Sequence, residues 1–199
     1  FMFAQKFHPA MRYVSSARKQ LGIRTAFNLL GPLSNPAGVK NQLVGVFSID
    51  FLDRLPALLK RKGAQNIMTV RSDDGMDEFS TSATNRVCVL RDDKVLMNAI
   101  DPEVVGLHKS SLKDIQIESK QDAMKSFVSV LNNTANQAMI ETTVLNAAGG
   151  LIVANIAENF EEGVEIALNT IKDGKAFSLL EKFVADTGDT SKLKEIIDG

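Results

Sequence analysis

The pattern of apolar and polar positions predicts a β-α-β unit early in the chain. Gln42 to Phe47 is an apolar run that reads as a buried strand. Asp50 then serves as a helix cap ahead of Leu52, Leu55, Leu58 and Leu59 at helical spacing, and Gly63 supplies a stop. Asn66 to Val70 reads as the next strand. Two strands joined through a helix predict parallel pairing and a right-handed crossover. Val87 to Leu90 and Val95 to Met97 flank the polar Arg91-Asp92-Asp93-Lys94 and read as a hairpin. The predicted sheet is therefore mixed, mainly parallel, and flanked by helices.

From Ser119 the period changes to that of helices. Ser119 and Asp122 form a capping-box-like start before Ala123, Phe127, Val130 and Leu131. Ala135 to Asn155 is apolar on most sides, and Ala147, Ala148, Gly149 and Gly150 leave room for a close neighbour, which predicts a central helix. Glu141 and Asn146 within it argue against a membrane span. Phe160 to Lys172 carries Glu161 and Glu162 in its first turn and Lys172 in its last, matching the helix dipole, with Gly174 just beyond. Two further helices are predicted near Ala176 to Ala185 and Ser191 to Ile197. The expected class is a single α/β domain over residues 1–199. At its start, Phe1-Met2-Phe3-Ala4 reads as a strand cut open, so truncation before Phe1 is the expectation.

Composition narrows this only slightly: 44% hydrophobic and 24% charged residues, with a net charge of -1, describe an ordinary globular chain. The distribution of charge adds more. Residues 1–49 hold Lys6, Arg12, Arg18, Lys19, Arg24 and Lys40 without one acidic residue, leaving 17 basic and 24 acidic residues beyond. A basic opening suits an anionic small ligand, although a solvated basic surface reads equally well. Cys88, the single cysteine, sits among Val87, Val89 and Leu90 and reads as a buried small hydrophobe. No leader-like start or bilayer-length apolar run is present, which makes a cytoplasmic location the default expectation. Asn132-Asn133-Thr134 matches a glycosylation sequon, which without secretion is chance.

Three segments could carry chemistry. His8-Pro9 places a histidine at a helix start, where capping alone could explain it. On one unbroken helix His8 and Arg18 would lie roughly 15 Å apart on different faces, so a shared site requires a break, for which Ser15-Ser16 is the candidate. Arg18 would then occupy the first turn of a second helix, where the dipole repels it and an anion would relieve it. Gly22 to Pro36 has the composition of a long, ordered loop. Asp73-Asp74-Gly75-Met76-Asp77-Glu78 follows a strand, at the kind of carboxyl end where open α/β sheets bind ligands. A solvated acidic turn is one reading. A magnesium site, with one or two carboxylates completed by waters and substrate phosphates, is the other.

Taken together, F-A-Q-K-F-H-P-A-M from Phe3, then Arg18, then G-x-R-T-x-F-N-L-L-G-P-L-x-N-P from Gly22, then D-E-x-S from Asp77, resemble the anthranilate phosphoribosyltransferase family. The long loop motif is the specific part; the tetrapeptide gains weight from its position. The resemblance implies transfer of a phosphoribosyl group from phosphoribosyl pyrophosphate to anthranilate, in tryptophan biosynthesis, with Mg²⁺ as cofactor and neither nucleic acid nor membrane as partner. It implies that Arg18 grips the substrate carboxylate, that His8 lines the same aromatic-acid site, and that Met11 and Gly31 fall at lining positions. Met11 reads as well as core packing. Asp77 and Glu78 correspond to metal ligands. The family's Gly-rich phosphate loop, its Lys-His-Gly-Asn segment and its small helical domain find no counterpart in these residues, so this piece alone is expected to be inactive. The family dimerises largely through the helical domain, so the full-length protein is expected to be a homodimer and the piece a monomer. Pyrimidine nucleoside phosphorylase and a non-catalytic nucleic-acid-binding relative are the alternatives; the Gly22 loop and Arg18 weigh against the first, the scarcity of basic and aromatic residues beyond Lys40 against the second.

Overall fold

The computed structural model describes residues 3–23, 27–91 and 94–198, without the side chains of Ala4, Gln5, Arg18 and Phe27. Three helices come first: α1 (Ala4–Phe7), α2 (Met11–Leu21) and α3 (Phe27–Leu33). A four-stranded sheet follows, β1 (Asn41–Gly45), β2 (Asn66–Ser72), β3 (Asn85–Arg91) and β4 (Lys94–Ile100), with α4 (Arg54–Arg61) between β1 and β2. The helices α5 (Lys120–Leu131), α6 (Gln137–Val153), α7 (Phe160–Lys172), α8 (Lys175–Thr187) and α9 (Thr190–Asp198) complete the chain.

The strands lie in the order β1-β2-β3-β4. β1 pairs parallel to β2, from Asn41 opposite Asn66 to Gly45 opposite Val70, as the β-α-β pattern predicts. β2, β3 and β4 pair antiparallel. The sheet is mixed and flanked by helices as expected. Its parallel share is smaller than predicted, because among the described residues only β1 and β2 are joined through a crossover helix while β3 and β4, consecutive in sequence, pair antiparallel.

Alternation along the strands sends residues to two opposite layers. Ile67, Cys88 and Leu90 join Val46, Leu52, Leu55 and Leu59 in a core under α4. Met68, Val70 and Val87 join Val144, Leu145, Ala148, Val164 and Ala167 in the larger core under α6 and α7. Both faces of β2 are covered, which is why its residues from Met68 to Val70 are buried without interruption. Cys88 is fully buried; burial pushes its thiol pKa up and the nearby Asp53 charge adds to the shift.

Several local expectations are corrected. Ser48, not Asp50, caps the element after β1: its hydroxyl accepts from the Asp50 N–H at the start of a 3₁₀ turn over Ile49–Phe51, and α4 begins only after Asp53. The segment at Phe3-Ala4 is no strand, since the Lys6 N–H bonds the Phe3 carbonyl and closes a helical turn; Phe1 and Met2 lie outside the described residues. α2 runs unbroken through Ser15-Ser16, because the Ser15 hydroxyl donates to the Arg12 carbonyl (3.0 Å) and is satisfied inside the helix. The supposed loop from Gly22 to Pro36 contains α3. Gly22, at φ 61°, ends α2, and the Ser34 N–H and hydroxyl both bond the Leu30 carbonyl at the end of α3. The Lys62 ammonium then bonds the Leu33 carbonyl and ties α3 to the end of α4.

Candidate active site

Because β1 and β2 are parallel, their carboxyl ends reach the same edge of the sheet, and the acidic turn leaves from there. Gly75, at φ 103°, closes a tight turn in which the Ser72 N–H bonds the Met76 carbonyl at 3.0 Å. The Arg71 guanidinium donates to the Phe47 carbonyl (2.7 Å), fastening the end of β2 to the chain leaving β1. The four carboxylates of the turn then separate by role. Asp73 forms a two-pronged pair with Arg86 at 3.0 and 3.1 Å. Asp74 accepts from the Ser82 hydroxyl and the Met76 N–H. Burial alone would raise the Asp74 pKa, but hydrogen bonds from Ser80, Ser82 and Met76 outweigh it and hold the carboxyl below its ordinary value. Asp77 and Glu78 remain exposed, and among the described residues neither carboxylate is committed to a hydrogen bond or ion pair.

Those two carboxylates face a cleft of about 760 Å³. His8, from the connection before α2, and Gly31, from α3, line it too, together with Gly45, Val70 and Asn146. Four of the six residues singled out from sequence thus meet at one site. Met11 is half-buried at the start of α2 and does not line the cleft. The Arg18 side chain lies outside the described residues. Its backbone sits three residues before the end of α2, where the helix dipole suits a cation, so the discomfort inferred from a second helix start disappears. The break falls not at Ser15-Ser16 but between α1 and α2, so His8 and Arg18 do not share one helix.

The sequence reading left out two of these lining residues. An ideal Cβ at Gly45 would lie 1.5 Å from the Asp77 carbonyl oxygen, so only glycine lets the turn pass this close to β1. The signal was a lone glycine closing a strand pattern, a known mark of close backbone approach. Asn146 accepts from the Phe79 N–H (3.0 Å) and donates to the Phe79 carbonyl (2.7 Å). An asparagine inside an otherwise apolar helix was its signal.

Chemically, the cleft combines two free carboxylates with a histidine and open space. Among the described residues no group of three His, Cys, Asp or Glu side chains could enclose a metal ion. Two carboxylates nevertheless fit Mg²⁺, which keeps waters and takes phosphate oxygens for its remaining positions, and do not fit a closed protein cage.

Residues 1–177 match the model of the glycosyl transferase family a/b domain, and the chain belongs to that family. Within it, the chain is similar to proteins named anthranilate phosphoribosyltransferase. It is 87% identical over 199 residues to the one from Nitrosopumilus maritimus, covering 100% of this chain and 57% of that protein. It is 50% identical over 195 residues to the one from Cenarchaeum symbiosum, covering 98% and 57%. The crystal structure of the Thermus thermophilus enzyme superposes with a TM-score of 0.80 at 34% identity, over 89% of this chain and 52% of that one. The Saccharomyces cerevisiae enzyme in complex with PRPP and Mg gives 0.76 at 26%, over 89% and 51%. The chain therefore spans little more than half the length of these relatives.

Proposed function

We propose that these residues form the acceptor and metal side of an enzyme that transfers the phosphoribosyl group of phosphoribosyl pyrophosphate to anthranilate and releases pyrophosphate, a step of tryptophan biosynthesis. The observation that carries the reading is the convergence of His8, Gly31, Asp77 and Glu78 on one cleft at the carboxyl ends of β1 and β2. The relatives' names and the yeast complex with PRPP and Mg support it.

In this reading the Asp77 and Glu78 carboxylates hold Mg²⁺ against the pyrophosphate. When bound, the ion neutralises the charge that builds as pyrophosphate leaves C1 of the ribose. Gly31, without a side chain, leaves the wall open where a flat aromatic acid has to lie. His8 presents its ring to that acid, and the Arg18 guanidinium, planar and always charged, grips the carboxylate. The anthranilate amine then attacks a ribose centre with oxocarbenium character. Its lone pair is already free at neutral pH, so no strong general base is needed. A cytoplasmic homodimer is the expected form of the full-length protein; among the described residues no helix is long and apolar enough to cross a membrane.

The test is steady-state kinetics of the full-length Arg18→Ala variant. A tenfold or larger rise in the anthranilate KM, with the KM for phosphoribosyl pyrophosphate unchanged, is expected. An unchanged anthranilate KM would remove Arg18 from the site.

A further inference from the structure

The two free carboxylates sit on a segment that is immobilised on both sides. After Glu78 the chain enters the core: the Phe79 ring is fully buried and packs edge-on against Phe160 at 5.2 Å between centroids. Its edge lies over Gly149, where an added Cβ would come within 2.7 Å of the ring. Both peptide groups of Phe79 are taken by the Asn146 side chain, and both peptide groups of Ser80 by the Asn85 side chain, at 2.8 Å from the N–H and 2.9 Å to the carbonyl. Two asparagine amides thus replace the neighbouring strand that this extended stretch lacks. On the other side, Gly45 lets the Asp77 carbonyl rest against β1.

We infer that Asn146 is a positioning residue for the Asp77-Glu78 pair: its amide fixes the Phe79 peptide and thereby fixes where the two carboxylates enter the cleft. This rests on the metal reading proposed above and extends it to a residue on α6. Asn146 has two N–H donors, and both are used, one on the Phe79 carbonyl and one on the Thr142 carbonyl at 2.9 Å. Although Asn146 lines the cleft, no donor remains for a ligand. Its two hydrogen bonds to Phe79 give it a route to a bound cation through the Phe79 backbone. Thr142, one turn earlier on α6, bonds the Thr81 hydroxyl at 2.8 Å, so the same helix face holds the segment at a second point. Partners that orient metal ligands are worth about 10- to 100-fold in affinity when removed.

The experiment titrates Mn²⁺ against the full chain and follows free Mn²⁺ by electron paramagnetic resonance, with thermal unfolding recorded for every variant. Asn146→Ala and Asn146→Asp are expected to weaken Mn²⁺ binding about tenfold, the aspartate because it keeps the acceptor for the Phe79 N–H but loses both donors. Gly45→Ala, which pushes on Asp77 from β1, should weaken it as well. Val144→Ala, on the same helix and fully buried, should lower the Tm while leaving Mn²⁺ affinity unchanged. The paired substitution Asp77→Asn with Glu78→Gln sets the reference for a lost site. If that pair abolishes binding and both Asn146 variants bind like the parent, the positioning role is overturned and the metal site stands. If the pair leaves binding intact, the metal reading fails and the role of Asn146 fails with it.

Discussion

Gly31 shows how one missing side chain serves the cleft at a cost to its helix. It lies inside α3, where glycine is about 1 kcal/mol less favourable than alanine, yet a Cβ built there meets nothing within 4 Å. Packing does not demand glycine at this position; the proposed acceptor site does. Gly31→Ala should therefore raise stability by up to about 1 kcal/mol, read by chemical denaturation, while raising the anthranilate KM of the full-length protein. A variant that is more stable and binds anthranilate unchanged would show that the wall has room to spare. Residue by residue, legibility followed the chemistry. The acidic turn from Asp73 to Glu78 is conspicuous after a strand, and the family resemblance is what singles out Asp77 and Glu78 within it. What sequence could not reveal is that Asp73 and Asp74 are already committed, to Arg86 and Ser82, partners 13 and 8 positions away. Gly45 and Asn146 act on backbone atoms of distant residues, and backbone partners carry no sequence signature.

Among elements, the helices that pack against the sheet were legible and the segments around the cleft were not. The predicted bounds of α7 match the structure from Phe160 to Lys172, because an Asn159 cap, an acidic first turn and a basic last residue agree with its apolar spacing. The misread elements lie where local chemistry permits two outcomes. Ser15-Ser16 can cap a new helix or bond back into the old one, and the Arg12 carbonyl takes the hydroxyl. The Gly22 to Pro36 stretch mixes turn residues with Leu29, Leu30 and Leu33, and the leucines prevail over a single turn pair. The close approach of α6 and α7 offers a test at this scale. A Cβ on Gly163 would lie 2.9 Å from the Ala148 Cβ and 3.0 Å from its Cα, both on a helix that cannot swing aside without disturbing Phe79. Gly163→Ala gains helix propensity of about 1 kcal/mol but overpacks the interface by about 1–3 kcal/mol. The expected net result is a lower Tm, with Mn²⁺ affinity falling in proportion only if α6 shifts. A Tm at or above that of the parent would mean the two helices separate without cost.

For the whole molecule, the two walls of the cleft differ in how firmly they are held. The Asp77-Glu78 wall is fixed by a buried ring, two asparagine clamps and a glycine contact. The His8-Gly31 wall is not: among the described residues before Asn41 none is buried, and Phe3, Phe7, Tyr13, Leu21, Ile23, Leu30 and Val39 are all exposed. Among the described residues α1 to α3 bury little apolar surface: Leu33 packs against the smaller core, and the Lys62 ammonium bonds the Leu33 carbonyl. A transferase must hold acceptor and donor within about 3–3.5 Å of each other, and a loosely held wall cannot do so alone. The chain spans 57% of the relative from Nitrosopumilus maritimus. We predict that the 199 residues, produced on their own, bind Mn²⁺ through Asp77 and Glu78 but show no turnover of anthranilate with phosphoribosyl pyrophosphate and Mg²⁺. The two measurements separate the walls. Retained Mn²⁺ binding without turnover separates the metal side from the rest of the reaction's requirements, whereas measurable turnover would overturn the prediction.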